Sequence, residues 1–329
     1  MNTDDDVRRE LEAVYEARKN RFRILVGIDG EDESYRGLQY AARMGANRSD
    51  CDIILVYVRP IDQGLHTGGL QARVARENLL SWGIELPGIR YLKKGLSMLV
   101  EDAEMDGDWV AEASHTDVQG DPLGDNKTEY RHKDGRSIVL KLKTAPDAAS
   151  GILDQYELGP YDLIILGCGK GGRGPISSVF APSVAEKVAL YAPCSVFVAR
   201  KLEAGHGHLI AVDGTDKAME ILKEEARIAS RFADPKVSAI CIAKTEAERA
   251  QAEAVVAKAE AMLKDEMDFQ LKATYVRVGD PVKEIVDAGR DYSAIVLGCS
   301  ERSLFYRMFV SSVPLEVVRR ARNSVMIIR

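Results

Sequence analysis

Arg23-Ile-Leu-Val-Gly-Ile-Asp29-Gly30 and His208-Leu-Ile-Ala-Val-Asp213-Gly214 are one apolar run ending in Asp-Gly, met twice in a single chain. Each leads into a helical pattern, over Tyr35 to Ala46 and Lys217 to Phe232. A second apolar run follows in each copy: Asp52-Ile-Ile-Leu-Val-Tyr-Val58 and Lys236-Val-Ser-Ala-Ile-Cys-Ile242. Later, Tyr161-Asp-Leu-Ile-Ile-Leu-Gly167-Cys168 returns as Tyr292-Ser-Ala-Ile-Val-Leu-Gly298-Cys299. The copies close on Ser195-Val-Phe-Val-Ala-Arg200 and Ser324-Val-Met-Ile-Ile-Arg329. Short continuous apolar runs suit strands buried on both faces of a parallel sheet. Their alternation with helices gives right-handed βαβ units. The sequence therefore predicts two doubly wound, parallel-sheet α/β domains of Rossmann-like type, over residues 21–200 and 208–329.

The 329 residues suffice for two domains, and 46% apolar with 29% charged residues is a globular balance. A net charge of −6 gives no global field that would draw the chain to nucleic acid or anionic lipid. No apolar stretch is long enough to span a bilayer, and no secretory h-region follows the acidic start at Met1 to Asp6. Five scattered cysteines without a CxxC spacing read as reduced thiols, so a cytoplasmic location is expected. Residues 1–20 read as a helix with Val7, Leu11, Val14 and Tyr15 on one face. Residues 201–207 read as a polar linker. His206 and His208 near it are taken as solvated rather than as metal ligands.

The first copy is longer by about 53 residues, counted between Asp29 and Gly167 against Asp213 and Gly298. Most of the excess is placed over about 82–136. Asp134-Gly135, flanked by Thr128 to Lys133 and Ser137 to Lys143, predicts a hairpin, and Gly120 to Asn126 reads as a turn-rich loop. Such an insertion is either a surface elaboration or a lid or partner-docking hairpin.

The chemistry-bearing stretch follows the fourth strand of the first copy: Gly167-Cys-Gly169-Lys170-Gly-Gly172-Arg173-Gly174, running on to Pro182-Ser183-Val184-Ala-Glu186. Glycines let backbone N–H groups approach an anion, and a helix start adds positive charge. Lys170 and Arg173 add full charges, and Ser183 with Glu186 has capping-box spacing. The loop lies at the carboxyl end of a parallel strand, where open α/β sheets bind ligands. The second copy keeps Gly298 but carries Glu301 and the bulky Phe305, Tyr306 and Phe309. Glu301 would repel a phosphate, so this loop reads as structural or as a contact surface. Ser312, with Pro314 in the first turn, is expected to cap the next helix.

On these residues, together with Ala192-Pro-Cys-Ser-Val-Phe-Val198 and Val278-Gly-Asp280-Pro281, the chain resembles a tandem universal stress protein. The resemblance implies two domains of adenine-nucleotide α-hydrolase-like topology and a stress-response, regulatory role. It also implies ATP, with Mg²⁺, as the cofactor of the first domain. The family's Gly-x2-Gly-x9-Gly-Ser/Thr pattern is matched by Gly169-x2-Gly172-x9-Pro182-Ser183, where proline replaces the last glycine and removes a backbone N–H. The resemblance places the nucleotide at Gly27, Ile28, Asp29, Val58, Gly167, Gly169, Lys170, Gly172, Ser183 and Val184. Asp29 would stand near the adenine and Val58 would contact the base through its backbone. The remaining positions would line ribose and phosphates. Read from the residues alone, the alternative for Asp29 is a turn residue before Gly30, and for Val58 strand core.

No catalytic constellation is found: Gly-x-Ser-x-Gly, His-x-x-x-His and a Walker A ending are absent. The chain is therefore expected not to be an enzyme beyond weak incidental ATP hydrolysis. Cys168 and Cys299 are read as small buried hydrophobes, with a thiol sensor as the alternative. The expected partners are an adenine nucleotide and a regulatory protein. The last strands, Val196 to Arg200 and Val325 to Arg329, are expected to pair within the chain as the mimic of a dimer. A homodimer through the insertion is compatible with the sequence. The alternative function is a non-nucleotide interaction module acting through the insertion and the second domain's surface.

Overall fold

The computed structural model describes residue 16 and residues 20–61, 87–118, 121–155, 160–168, 183–200, 206–299 and 312–329. The predicted helix within residues 1–20 and the loop residues Gly169, Lys170 and Gly172 lie outside them. So does the aromatic loop around Phe305. The chain divides into two compact units, Met1–Ile165 and Leu166–Arg329, with the boundary inside one strand, Leu163–Gly167.

In the first unit β1 (Phe22–Gly27), α1 (Asp32–Gly45) and β2 (Cys51–Pro60) come first. They are followed by α2 (Pro87–Ser97), α3 (Asp102–Asp108), β3 (Trp109–Val118) and β4 (Asp121–His132). β5 (Ser137–Ala145), α4 (Ala148–Leu153) and β6 (Leu163–Gly167) complete the series. The sheet order is β6-β1-β2-β5-β4-β3. β1, β2 and β5 are parallel neighbours, with Ile24 opposite Ile53 and Ile54 opposite Val139. Ile24, Leu25, Ile53, Ile54 and Leu55 are essentially without solvent exposure, as strands covered on both faces require.

The predicted hairpin forms, but its second strand is β5, the third parallel strand of the sheet. Asp121 to Asn126, expected in a turn-rich loop, stand in the first half of β4: Asp121, Asp125 and Asn126 pair with β3, and Asn126 also with β5. Pro122 to Gly124 have no partner in that register, and Gly124 keeps the positive φ of a turn, so the turn chemistry survives as an irregularity within the strand. The extra segment is also narrower than 82–136. α2 packs on β2 and β5 as the crossover helix, so among the described residues α3, β3 and β4 are the elements without a counterpart in the second copy.

The second unit continues with α5 (Val184–Tyr191), β7 (Ser195–Ala199), β8 (His208–Ala211), α6 (Asp216–Ala229) and β9 (Val237–Ala243). Then come α7 (Arg249–Met267), β10 (Ala273–Val278), α8 (Pro281–Gly289), β11 (Ala294–Gly298), α9 (Val313–Arg320) and β12 (Ser324–Ile328). The order is β10-β9-β8-β11-β12-β7. β8 to β12 are parallel, whereas β7 pairs antiparallel with β12, setting Val198, Phe197 and Val196 opposite Val325, Met326 and Ile327. Both of these strands are buried along their whole length.

His208 corrects the expectation of a solvated linker histidine. It opens β8, is buried, and its Nδ1 lies 2.5 Å from Oε1 of Glu225, a fully buried residue of α6. Burial pushes the Glu225 carboxyl up, against the pull of His208.

Candidate nucleotide site

The carboxyl ends of β1 and β2 carry four of the residues singled out from sequence. Gly27 ends β1, and the buried Ile28 donates its amide to the Val56 carbonyl at 2.8 Å, holding the chain beside β2. The exposed Asp29 then accepts the Glu31 amide on Oδ1 at 2.9 Å. This is an Asx turn, and it confirms the local role read from Asp-Gly.

Gly30 has φ of +94°, a conformation that side chains disfavour, and a Cβ there would stand 2.8 Å from the ring of Tyr91. Tyr91 belongs to α2, and its ring lies 5.9 Å from that of Tyr57, the residue before Val58. Tyr35 donates its hydroxyl to the Tyr91 carbonyl at 3.2 Å, and Nζ of Lys94 sits 4.0 Å above the Tyr35 ring. Burial, then the neighbouring Tyr91 and Asp29, push the Tyr35 hydroxyl up, so it stays a donor. Val58 faces the other way. A Cβ on Gly151 of α4 would stand 2.6 Å from its Cγ1, so glycine there admits the helix.

Sequence reasoning missed Tyr57 and Tyr91. Tyr57 adjoins Val58, but Tyr91 falls within the stretch that the sequence places in the insertion, over about 82–136. The second unit repeats the turn without the rings. Gly214 has φ of +83° and faces Val255 of α7, and Cys241 holds the place of Tyr57. Oδ1 of Asp213 accepts from both the amide and the hydroxyl of Thr215.

Gly167 ends β6, and the amide of Cys168 beyond it donates to the Ala199 carbonyl. Cys168 and Cys299 are half-buried rather than buried, and Nη2 of Arg200 lies 3.8 Å from Cys168 Sγ. Ser183 forms the predicted capping box at α5. Its hydroxyl accepts the Glu186 amide at 3.2 Å, and Oε2 of Glu186 accepts the Ser183 amide at 2.8 Å. The helix start thus already holds an internal carboxylate, steadied by Arg319 at 3.1 Å. Val184 is 40% exposed. Ser312 takes the N-cap position of α9 without the expected side-chain cap, because Pro314 in the first turn sets the backbone by itself.

The groups at the turn suit a base and ribose better than a phosphate. Asp29 offers an exposed carboxylate beside the half-buried Tyr57 and Tyr91 rings, the latter with Arg90 over it, whereas the Ser183 amide and hydroxyl are already paired. Among the described residues no cluster of His, Cys, Asp and Glu is arranged to hold a metal ion. Among them, too, no helix is long and apolar enough to cross a membrane.

The universal stress protein family model matches residues 20–81, 95–200 and 208–329. The chain belongs to the universal stress protein family. No curated protein matches it. Among solved structures it is similar to a candidate universal stress protein from Pseudomonas aeruginosa UCBPP-PA14, at 15% identity and a TM-score of 0.57 over 95% of this chain and 94% of that one. A universal stress protein from Archaeoglobus fulgidus in complex with dAMP shares 22% identity over 37% of this chain and 97% of its own, with a TM-score of 0.29. A universal stress protein in complex with cAMP shares 20% over 37% of this chain and 96% of its own, with a TM-score of 0.32. The chain is thus a universal stress protein in which the family pattern is met twice, the first time with a hairpin added to the sheet.

Proposed function

We propose that this universal stress protein is a cytoplasmic regulatory protein that holds an adenine nucleotide, ATP with Mg²⁺, in its first copy and uses its second copy structurally. The observation that carries the reading is the pair of tyrosine rings, Tyr57 and Tyr91, beside the exposed Asp29 carboxylate. A purine stacks on aromatic faces, worth about 1–3 kcal/mol per base, and a carboxylate accepts from ribose hydroxyls or the exocyclic amine. The second copy offers Cys241 and Val255 instead, with Glu301 in its loop. The phosphates are assigned by resemblance to Gly167, Gly169, Lys170, Gly172 and Ser183. The bound nucleotide would supply an anionic signal rather than a reacting group. The antiparallel pairing of β7 with β12 is the contact expected of a single-chain mimic of a dimer.

Equilibrium dialysis of ATP with Mg²⁺ against the whole protein and against Gly172→Glu tests this reading. Saturable binding that is lost in the variant is expected. No binding by the wild type at millimolar ATP sinks the nucleotide reading. A second reading, docking of a regulatory protein on the hairpin, is favoured by β3. Its residues from Val110 to Asp117 are all exposed, with Val110 at 73%.

A further inference from the structure

The same place in the two units is filled in one and open in the other. In the first unit it lies beside β1, β2 and β5, and only about 40 Å³ remains among Arg23, Asp52, Lys127, Glu129 and Lys141. Arg23 lays its guanidinium 4.6 Å from the Tyr161 ring centre. Lys127 and Glu129 reach in from β4, and Lys141 donates to the buried Gln155 at 3.1 Å. The backbone pairing fixes the equivalences: Arg23 opposes Asp52 as Gly207 precedes the His208–Val237 pair, and Tyr161 matches Tyr292. The N-caps Asp147 and Asp280 align Gln155 with Ala288.

In the second unit most of these fillers are gone, and Tyr275 stands for Lys141. Gly207 stands for Arg23 and Ala288 for Gln155, and among the described residues no strand lies beyond β10 to stand for β4. A cavity of about 300 Å³ results, within the range of small-molecule sites. It is lined by Ala288, Tyr275, Tyr292, Lys272 and Arg277, with His206 and Asp291, while Leu209 is fully buried. Among the described residues neither Lys272 nor His206 makes an ion pair, while Arg277 lies 3.6 Å from Glu284. Tyr292 donates its hydroxyl to that of Tyr275 at 3.2 Å, which leaves the Tyr275 proton available to a ligand. Burial pushes Tyr292 up to about 12, so its hydroxyl stays protonated. Most of these residues stand at the amino ends of β8, β10 and β11, away from the Asp213 turn at the carboxyl end.

We propose that this cavity binds a small organic anion, a carboxylate or phosphate monoester on a flat apolar body. The body would lie against Ala288 and the Tyr292 ring, and the anionic oxygens would meet Lys272, Arg277 and the Tyr275 hydroxyl. The inference is independent of nucleotide binding in the first copy. Calorimetric titration of the whole protein with benzoate, phenyl phosphate and neutral benzyl alcohol tests it, alongside Ala288→Gln, which copies the first unit's filler, and Lys272→Glu. Saturable binding of at least one anion is expected, at least tenfold tighter than the alcohol. A tenfold loss in Ala288→Gln and a loss of fivefold or more in Lys272→Glu are also expected, with unchanged thermal unfolding in both. A preference for benzoate assigns the carboxylate, and a preference for phenyl phosphate the ester. No saturable binding of either anion overturns the proposal. So does equal binding of the alcohol, or unchanged affinity in Ala288→Gln.

Discussion

Replacing Arg23 by alanine removes the plug that closes the first unit's cavity, and its cost follows from the contacts. Nη1 donates to the Pro160 carbonyl at 2.7 Å, and the guanidinium stacks on Tyr161 at 4.6 Å. A charged hydrogen bond contributes about 1.5–3 kcal/mol and a desolvated cation–π contact about 0.5–2 kcal/mol. Asp52 keeps Arg21 at 2.6 Å, so the substitution leaves no isolated buried carboxylate. Because neighbouring contacts are not additive, the expected loss is about 2–4 kcal/mol. Both tryptophans, Trp82 and Trp109, lie in the first unit, so tryptophan fluorescence in urea follows that unit alone. With a urea slope of roughly 2 kcal/mol per molar, the midpoint should fall by about 1–2 M. Arg23→Lys, which keeps the charge but loses the planar stacking, should fall between. A shift in Arg23→Ala too small to measure would refute the view that Arg23 stabilises the first unit by filling this space.

Gly30→Ala should destabilise the first unit by at least about 1–2 kcal/mol from its positive φ. Adding Tyr91→Ala should recover only the ring clash in the same urea assay. Glu129 is pulled down to about 2, against burial, by Lys127 and Arg131. A depressed carboxylate stabilises above its ordinary value near 4.5 and loses that contribution as pH falls towards 2. The first unit's urea midpoint should therefore drop over that window, and Glu129→Gln should flatten the drop. In the second unit, Glu225→Ala takes the carboxylate from buried His208 and should cost about 1–3 kcal/mol by calorimetry, whereas a surface change such as Glu266→Ala should cost far less.

Periodicity and repetition determined the two-copy α/β architecture from the sequence alone. Apolar runs such as Ile53 to Val56 and Ile295 to Leu297 must be buried wherever the chain goes, and Asp-Gly after a strand is a turn by local geometry. The Ser183–Glu186 capping box was legible for the same reason, since its partners lie three residues apart. What required tertiary structure was contact between distant residues. Tyr91 reaches Gly30 only because α2 crosses over the sheet, and His208 meets Glu225 only because α6 packs behind β8. β4 becomes a strand only because β3 and β5 pair with it from Asn126 onward, while Pro122 to Gly124 remain an irregularity at its start. The open cavity beside β10 follows from side chains missing at Gly207 and Ala288, and an absence becomes a space only when the surrounding elements are packed.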